Sequence, residues 1–298
     1  MSQKLRVGFI GLGIMGKPMA SNLMKNGYEL GIFNRSRKSV EELAAAGAKR
    51  AETPKDLAKD CDIVIDMVTD APDVERVLLD ETTGVIAEAK KGLVAIDMST
   101  NSPEVARKVY SKLGEKGIDF LDAPVTGGDK GAREATLTIM VGGKKEIFER
   151  CKPVFEAMGK EIVYMGNSGS GQAMKLCNQV AVSINTLATS EALMFATAAG
   201  LNLDDVLKVL TTGAASSWNL ANLGPKIVAR DFEPGFKSAH ILKDLRYVIQ
   251  LSEANRVVLP GSSIVYQLLN SVMADGYGEK GTQVLAKVLE KLSDREIK

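Results

Sequence analysis

Gly8-Phe9-Ile10-Gly11-Leu12-Gly13-Ile14-Met15-Gly16 is the stretch on which the fold turns. It closes the short apolar run Leu5–Ile10, which reads as a strand. It also opens Met15–Asn26, where Met15, Met19, Leu23 and Met24 recur at helical spacing until Gly27 stops the helix. Gly11, Gly13 and Gly16 therefore fall in a strand-to-helix turn, the context that gives a GxGxxG pattern its meaning. The first glycine permits the tight turn, the second lets the backbone approach a pyrophosphate, and the third lets helix and strand pack closely. A helix starting there directs free N–H groups and the positive end of its dipole at phosphate. Gly11, Leu12, Gly13, Ile14 and Met15 are the expected contacts with a dinucleotide.

Working outward, Tyr28–Asn34 reads as the next strand and Val40–Ala46 as a helix closed by Gly47. Ile63–Val68 is a buried strand, with a helix from about Asp73, and Val94–Asp97, Phe120–Asp122, Leu137–Val141 and Ile162–Tyr164 are further strands. Strands alternating with helices imply a mostly parallel sheet covered on both faces. The pattern changes at Gly166-Asn167-Ser168-Gly169-Ser170-Gly171. Beyond it Gln172–Ala199 is one helical pattern, about 42 Å long at 1.5 Å per residue. Helices at about 203–212, 219–229, 240–255, 261–275 and 279–293 follow. The expected architecture is α/β: a Rossmann-type N-terminal domain over 1–165, then an all-α domain over 166–298 for substrate and oligomerisation.

The end of the second strand selects the nucleotide. NAD-binding units place a carboxylate there for the ribose 2′-hydroxyl. Here the residues are Asn34-Arg35-Ser36-Arg37. Two guanidinium groups and a hydroxyl suit a 2′-phosphate, so NADP(H) is favoured over NAD(H).

Composition narrows the remaining classes. The chain has 298 residues, 45% hydrophobic and 25% charged, with a formal net charge of +1. That balance gives no electrostatic reason to expect nucleic acid or an anionic membrane as partner. Cys61, Cys151 and Cys177 form no CxxC pair, so reduced, buried thiols are expected. A single histidine, His240, cannot build a metal site or a Ser-His-Asp triad, and it reads as structural. No signal peptide is evident. The apolar stretch 180–200 is interrupted by Asn185 and Glu191 and reads as a buried helix, so a cytoplasmic protein is expected.

Four stretches in order carry a resemblance to the β-hydroxyacid dehydrogenase family, which includes 3-hydroxyisobutyrate dehydrogenase, tartronate semialdehyde reductase and glyoxylate/succinic semialdehyde reductases. They are the glycine turn just quoted, Asp122-Ala123-Pro124-Val125-Thr126-Gly127-Gly128, Gly171-Gln172-Ala173-Met174-Lys175-Leu176-Cys177-Asn178-Gln179, and Lys243-Asp244-Leu245. The resemblance covers nearly the whole chain. It implies that Thr126, Gly127 and Gly128 bind the substrate carboxylate, with Thr126 standing where the family usually has serine. The added methyl narrows the pocket.

The resemblance also implies that Lys175 is the catalytic acid/base. Its pKa, about 10.4 in water, should fall in a partly desolvated site beside other cations. Asn178 and Gln179 lie on the face of Lys175, and either amide could reach substrate; Asn178 is the first choice. Cys177, well round the helix from that face, is expected in the core. Lys243 is expected on the cofactor side, with Asp244 ordering the site. Met67, Val68, Thr69 and Thr100, at or just after strand ends, are expected cofactor contacts. Phe236 and Trp218 are candidates to close the substrate pocket, Phe236 also touching cofactor, or else helix-packing core.

The expected reaction is NADP(H)-linked interconversion of a small 3-hydroxy acid and its semialdehyde, in a cleft between the domains of a homodimer or homotetramer. The alternatives are an imine reductase or phosphogluconate-type dehydrogenase of the same superfamily, or a non-catalytic nucleotide-binding module.

Overall fold

The structure is a computed structural model that describes residues 5–88 and 90–298. The chain divides into two compact units, Met1–Lys175 and Leu176–Lys298.

In the first unit the strands are β1 (Val7–Ile10), β2 (Leu30–Phe33), β3 (Lys49–Arg50), β4 (Ile63–Asp66), β5 (Val94–Asp97), β6 (Asp119–Asp122), β7 (Val125–Thr126), β8 (Leu137–Gly143) and β9 (Gly159–Gly166). They form one sheet in the order β3-β2-β1-β4-β5-β6-β8-β7, with β9 on β8. Strands β1 to β6 are mutually parallel, and the order reverses at β1, whose neighbours are β2 and β4. That reversal is the topological switch point where doubly wound sheets take their ligands.

Strand residues alternate between two apolar layers. Val7 and Phe9 join Met19, Leu23, Ile63, Ile65 and Ile96 on one face. Ile10, Val64, Ala95 and Phe120 join Leu57, Leu78 and Val109 on the other. Burial on both faces is why these strands read as unbroken apolar runs.

The parallel pattern ends at β8, which runs antiparallel to both β6 and β7. β6 and β7 are one extended segment interrupted at Ala123-Pro124. Ala123 still donates its N–H to Asp97 O at 2.7 Å, while Pro124, which has no N–H, offers only its carbonyl, to Met140 N at 3.0 Å.

The helix Ser170–Ala198 begins in the first unit. The sequence reading assigned 166–298 to the second domain, whereas Gly166–Lys175 pack with the first unit. Gly169 and Gln172 donate their backbone N–H groups to Asp122, which ties this stretch to β6.

The rest of the second unit is helical: Leu203–Leu210, Trp218–Val228, Ser238–Asn255, Pro260–Ala274 and Leu285–Ser293. Leu193, Leu203, Leu207, Leu220, Ile227 and Ala286 share one of its cores. The last helix starts six residues later than its periodicity suggests. Gly278, Lys280 and Gly281 instead bond Ala239, Ser238 and Phe232 through their backbones, which holds that stretch out of helical conformation.

Candidate active site

The glycine turn is shaped by contacts that only glycine permits. Gly11 has φ +90°, and a Cβ there would overlap the carbonyl oxygen of Met67. A Cβ on Gly16 would overlap the carbonyl of Gly11 and press on the Phe9 ring. Gly13 differs: nothing lies within 4 Å of where its Cβ would be. The helix Gly16–Lys25 follows directly, with no acidic residue in its first turn, and it is continuous with the turn through Lys17 N–H to Gly13 O at 3.1 Å and Met19 N–H to Met15 O at 3.3 Å. Two glycines thus fix the turn and the third leaves it open, which fits a pyrophosphate over Gly13. Ile14 is exposed and Met15 half-buried at the mouth of the turn.

Asn34 directly follows β2 and braces this turn. Its Oδ1 accepts the Leu12 N–H at 2.9 Å, and its Nδ2 donates to the carbonyl and hydroxyl of Ser36, each at 3.0 Å. Arg35, Ser36 and Arg37 are exposed beside it. Neither arginine belongs to an ion pair among the described residues. Met67 and Val68 are half-buried and Thr69 exposed after β4, while Thr100 is half-buried after β5. The two loops are tied together, since Val68 N donates to Ser99 Oγ at 2.9 Å.

Beneath these loops lies a feature the sequence reading missed. Asp66, Asp97 and Asp122 end three adjacent strands, stand in register with one another, and are all fully buried. Like charges on neighbouring strands repel. Burial, then the neighbouring Asp97, pushes the Asp66 carboxyl well above the usual carboxylate range. Burial raises Asp97 as well, against the hydrogen bonds it accepts from Ser99 N at 2.8 Å, Asn101 Nδ2 at 2.5 Å and Gln172 Nε2 at 3.4 Å. Burial lifts Asp122 from 3.8 to about 6 against the opposing pull of two backbone N–H groups. The signal was in the sequence, where Ile63–Asp66, Val94–Asp97 and Asp119–Asp122 each close an apolar run on aspartate. Its meaning depends on the strand register.

Thr126 is half-buried, and Gly127 and Gly128 both take positive φ, +125° and +63°, as the chain turns into a short helix. Asp129 in that helix is paired with Arg133 at 2.5 Å. Lys175 is 7% exposed, and its Nζ donates to the carbonyl of Val125 at 2.8 Å. The ammonium is thereby held next to the residue that precedes Thr126.

The second unit contributes a connected polar chain. Asn178 Nδ2 donates to Gln179 Oε1 at 2.8 Å, Gln179 Nε2 donates to Asp244 Oδ2 at 2.6 Å, and Lys243 Nζ lies 3.1 Å from Asp244 Oδ1. Gln179 and Asp244 are buried at 2% and 1% exposure, so both are committed to this brace. Asn178 is half-buried and keeps its side-chain oxygen outside these bonds.

Trp218 is 60% exposed, which removes it from the helix-packing core. Phe236 is half-buried with its ring 5.8 Å from that of His240. Burial, then the Lys243 cation, holds the His240 pKa below its usual value. Cys61 and Cys151 are buried as expected, but Cys177 is exposed. The expectation of a core thiol fails because the buried stripe of this helix is the polar side carrying Gln172, Lys175, Gln179, Ser183 and Thr186. Cys177 faces the other way.

A Rossmann unit with a nucleotide turn, a glycine loop and a buried lysine, followed by an all-helical unit, defines a nucleotide-dependent dehydrogenase fold. Residues 6–166 match the NAD binding domain of 6-phosphogluconate dehydrogenase. Residues 169–289 match the NAD-binding domain of NADP-dependent 3-hydroxyisobutyrate dehydrogenase. The chain is 41% identical over 293 residues to 2-hydroxy-3-oxopropionate reductase of Escherichia coli, covering 98% of this chain and 100% of that one. It is 35% identical to NAD-dependent L-serine dehydrogenase of Pseudomonas aeruginosa, over 96% of this chain and 98% of that one. The 3-hydroxyisobutyrate dehydrogenase of Mycobacterium tuberculosis, solved with L-serine, superposes with a TM-score of 0.87 at 31% identity, covering 96% and 99% of the two chains. The protein belongs to the β-hydroxyacid dehydrogenase family and is an oxidoreductase.

Proposed function

We propose that this protein is an NADP(H)-dependent dehydrogenase that interconverts a small 3-hydroxy acid and its semialdehyde, with Lys175 as the proton carrier. The observation that carries the reading is the buried Lys175 ammonium, anchored at 2.8 Å to Val125 O immediately before Thr126-Gly127-Gly128. A bound nicotinamide supplies or accepts the hydride. The Thr126 hydroxyl and the backbone N–H groups of Gly127 and Gly128 hold the substrate carboxylate. Lys175 Nζ gives a proton to the carbonyl oxygen during reduction and takes one from the hydroxyl during oxidation. Asn178, one helical turn on, orients the reacting oxygen, while Gln179, Asp244 and Lys243 brace it.

The choice of NADP(H) is supported by the absence of a carboxylate over Asn34–Arg37 and by the two exposed arginines. Substrate size is supported by relatives named for 2-hydroxy-3-oxopropionate, L-serine and 3-hydroxyisobutyrate. A homo-oligomer is supported by the exposed, mainly apolar stripe Cys177, Ala181, Ile184, Ala188 and Phe195 along the long helix, broken by the charge of Glu191, where Phe195 is 75% exposed. Three free thiols suit a reducing compartment such as the cytoplasm.

The test is a panel of tartronate semialdehyde, methylmalonate semialdehyde, succinic semialdehyde and glyoxylate with NADPH, run on the wild type and on Lys175→Ala. Loss of the lysine should lower kcat by about 10²- to 10⁴-fold while NADPH binding survives. Unchanged turnover would defeat the mechanism.

A further inference from the structure

The segment Asp122–Val125 meets the start of the long helix at two points with matching spacing. The Asp122 carboxylate accepts the N–H of Gly169 on Oδ1 at 2.7 Å and that of Gln172 on Oδ2 at 3.0 Å. Three residues on along both segments, the Val125 carbonyl accepts from Lys175 Nζ at 2.8 Å. The same helical turn is held from another side by the Gln172 amide. Its Oε1 accepts from Asn101 N at 3.1 Å, and its Nε2 donates to Ser99 O at 2.8 Å and Asp97 Oδ2 at 3.4 Å. Asp122 and Gln172 are both completely buried.

We propose that Asp122 and Gln172 are positioning residues for the reaction assigned to Lys175: together they lock the first turn of the helix Ser170–Ala198 and thereby fix where Lys175 Nζ lies. This rests on the reading of Lys175 as the proton carrier. Two glycines make the lock possible. A Cβ at Gly171 would lie 2.5 Å from the carbonyl oxygens of Asp122 and Met140, and one at Gly142 would lie 2.7 and 2.8 Å from the two carboxylate oxygens of Asp122. The helix start is thus pressed against the strand ends with no slack.

Stability alone does not account for a carboxylate here. Burial lifts Asp122 to about 6, so near neutral pH the folded protein holds the anion against its desolvation. An asparagine would fill the same volume uncharged. It would, however, present a donor to one of the two N–H groups, and only a carboxylate accepts both. A loosened first turn moves the lysine, and a displacement of about 1 Å in a reacting group can cost on the order of 10²-fold in rate.

The test is a set of double-mutant cycles. Asp122→Asn and Gln172→Met are each made in the wild type and in Lys175→Ala, and kcat and NADPH affinity are measured. In the wild type each should lower kcat by about 10- to 100-fold while NADPH affinity stays within about twofold. In the Lys175→Ala background each should change kcat by less than about twofold, because the group they position is gone. In nucleotide-free Asp122→Asn, hydrogen exchange of the amides at 169–173 should rise by about tenfold or more. An equal fold-loss in both backgrounds, or no loss in the wild type, overturns the proposal and leaves the reading of Lys175 standing. Unchanged turnover in Lys175→Ala itself overturns both. Gln172→Met removes no acceptor from the helix N–H groups, so it carries the cycle if Asp122→Asn does not fold.

Discussion

Asn34 Oδ1 accepts the backbone N–H of Leu12 at 2.9 Å, joining the end of β2 to the middle of the glycine turn. The residue that in an NAD-type unit would be a carboxylate toward the ribose is here a neutral brace. With Nδ2 it also holds Ser36, which lies between Arg35 and Arg37.

The cofactor preference follows from that arrangement. Wild-type protein should turn over NADPH more efficiently than NADH at low cofactor concentration. Arg35→Ala should raise KM for NADPH by about 10- to 100-fold, the size of one lost hydrogen bond to a charged group, with KM for NADH little changed. Asn34→Asp keeps an acceptor for Leu12 and adds a negative charge, so it should weaken NADPH more than NADH. Steady-state kinetics with both nucleotides decide, and a wild-type preference for NADH would refute the reading of Asn34–Arg37.

The glycines of the turn should separate by experiment. At Gly16 an added methyl overlaps the carbonyl of Gly11, so Gly16→Ala should lower stability in urea by about 1–3 kcal/mol with or without nucleotide. At Gly13 an added methyl meets nothing in the protein. Gly13→Ala should therefore leave stability within about 0.5 kcal/mol of the wild type. It should still weaken NADPH binding by about tenfold or more, because the methyl occupies the ligand's space. Full NADPH affinity in Gly13→Ala would show that no pyrophosphate approaches there.

How much of this was legible in sequence depended on range. The glycine turn, Arg35, Thr126–Gly128 and Lys175 are local motifs, each readable from a few adjacent residues. Four helices of the first unit, Pro54–Asp60, Pro103–Gly114, Gly128–Glu134 and Lys145–Glu156, went unnoticed, even though Thr53 and Ser102 cap the first two and a proline opens each of those. In those two the cap was the stronger signal. The antiparallel β8 could not be read from its own residues, because strand direction is set by the partner. The aspartate row was equally hidden, since Asp66, Asp97 and Asp122 are far apart in sequence and meet only through register. Cys177 shows the same limit on a helix. Apolar residues occur on both sides of 170–198, and the side that is buried carries the polar Lys175 and Gln179.

The aspartate row makes a pH prediction whose sign runs opposite to that of an ordinary salt-bridged carboxylate. Asp122 titrates at about 6 in the folded chain and at the ordinary 3.8 when unfolded. Between those values the native state holds a proton that the unfolded state has released. The contribution of Asp122 to stability is therefore complete below 3.8 and is lost as pH rises through about 6. The two values correspond to at most about 3 kcal/mol. Asp66, raised by burial and by Asp97, has the same sign. Carboxylates such as Asp62, held low by the Arg6 N–H and Lys90 against its partial burial, act in the opposite sense at lower pH and would mask the effect in a simple profile. Subtracting Asp122→Asn, which cannot titrate at that position, isolates it. Urea unfolding of the two proteins from pH 4 to pH 7.5 should give a stability difference, wild type minus variant, that falls as pH rises and levels off above about 7. A difference that is flat or that rises with pH would mean that the Asp122 carboxyl is not raised. The two N–H groups from Gly169 and Gln172 would then outweigh its burial.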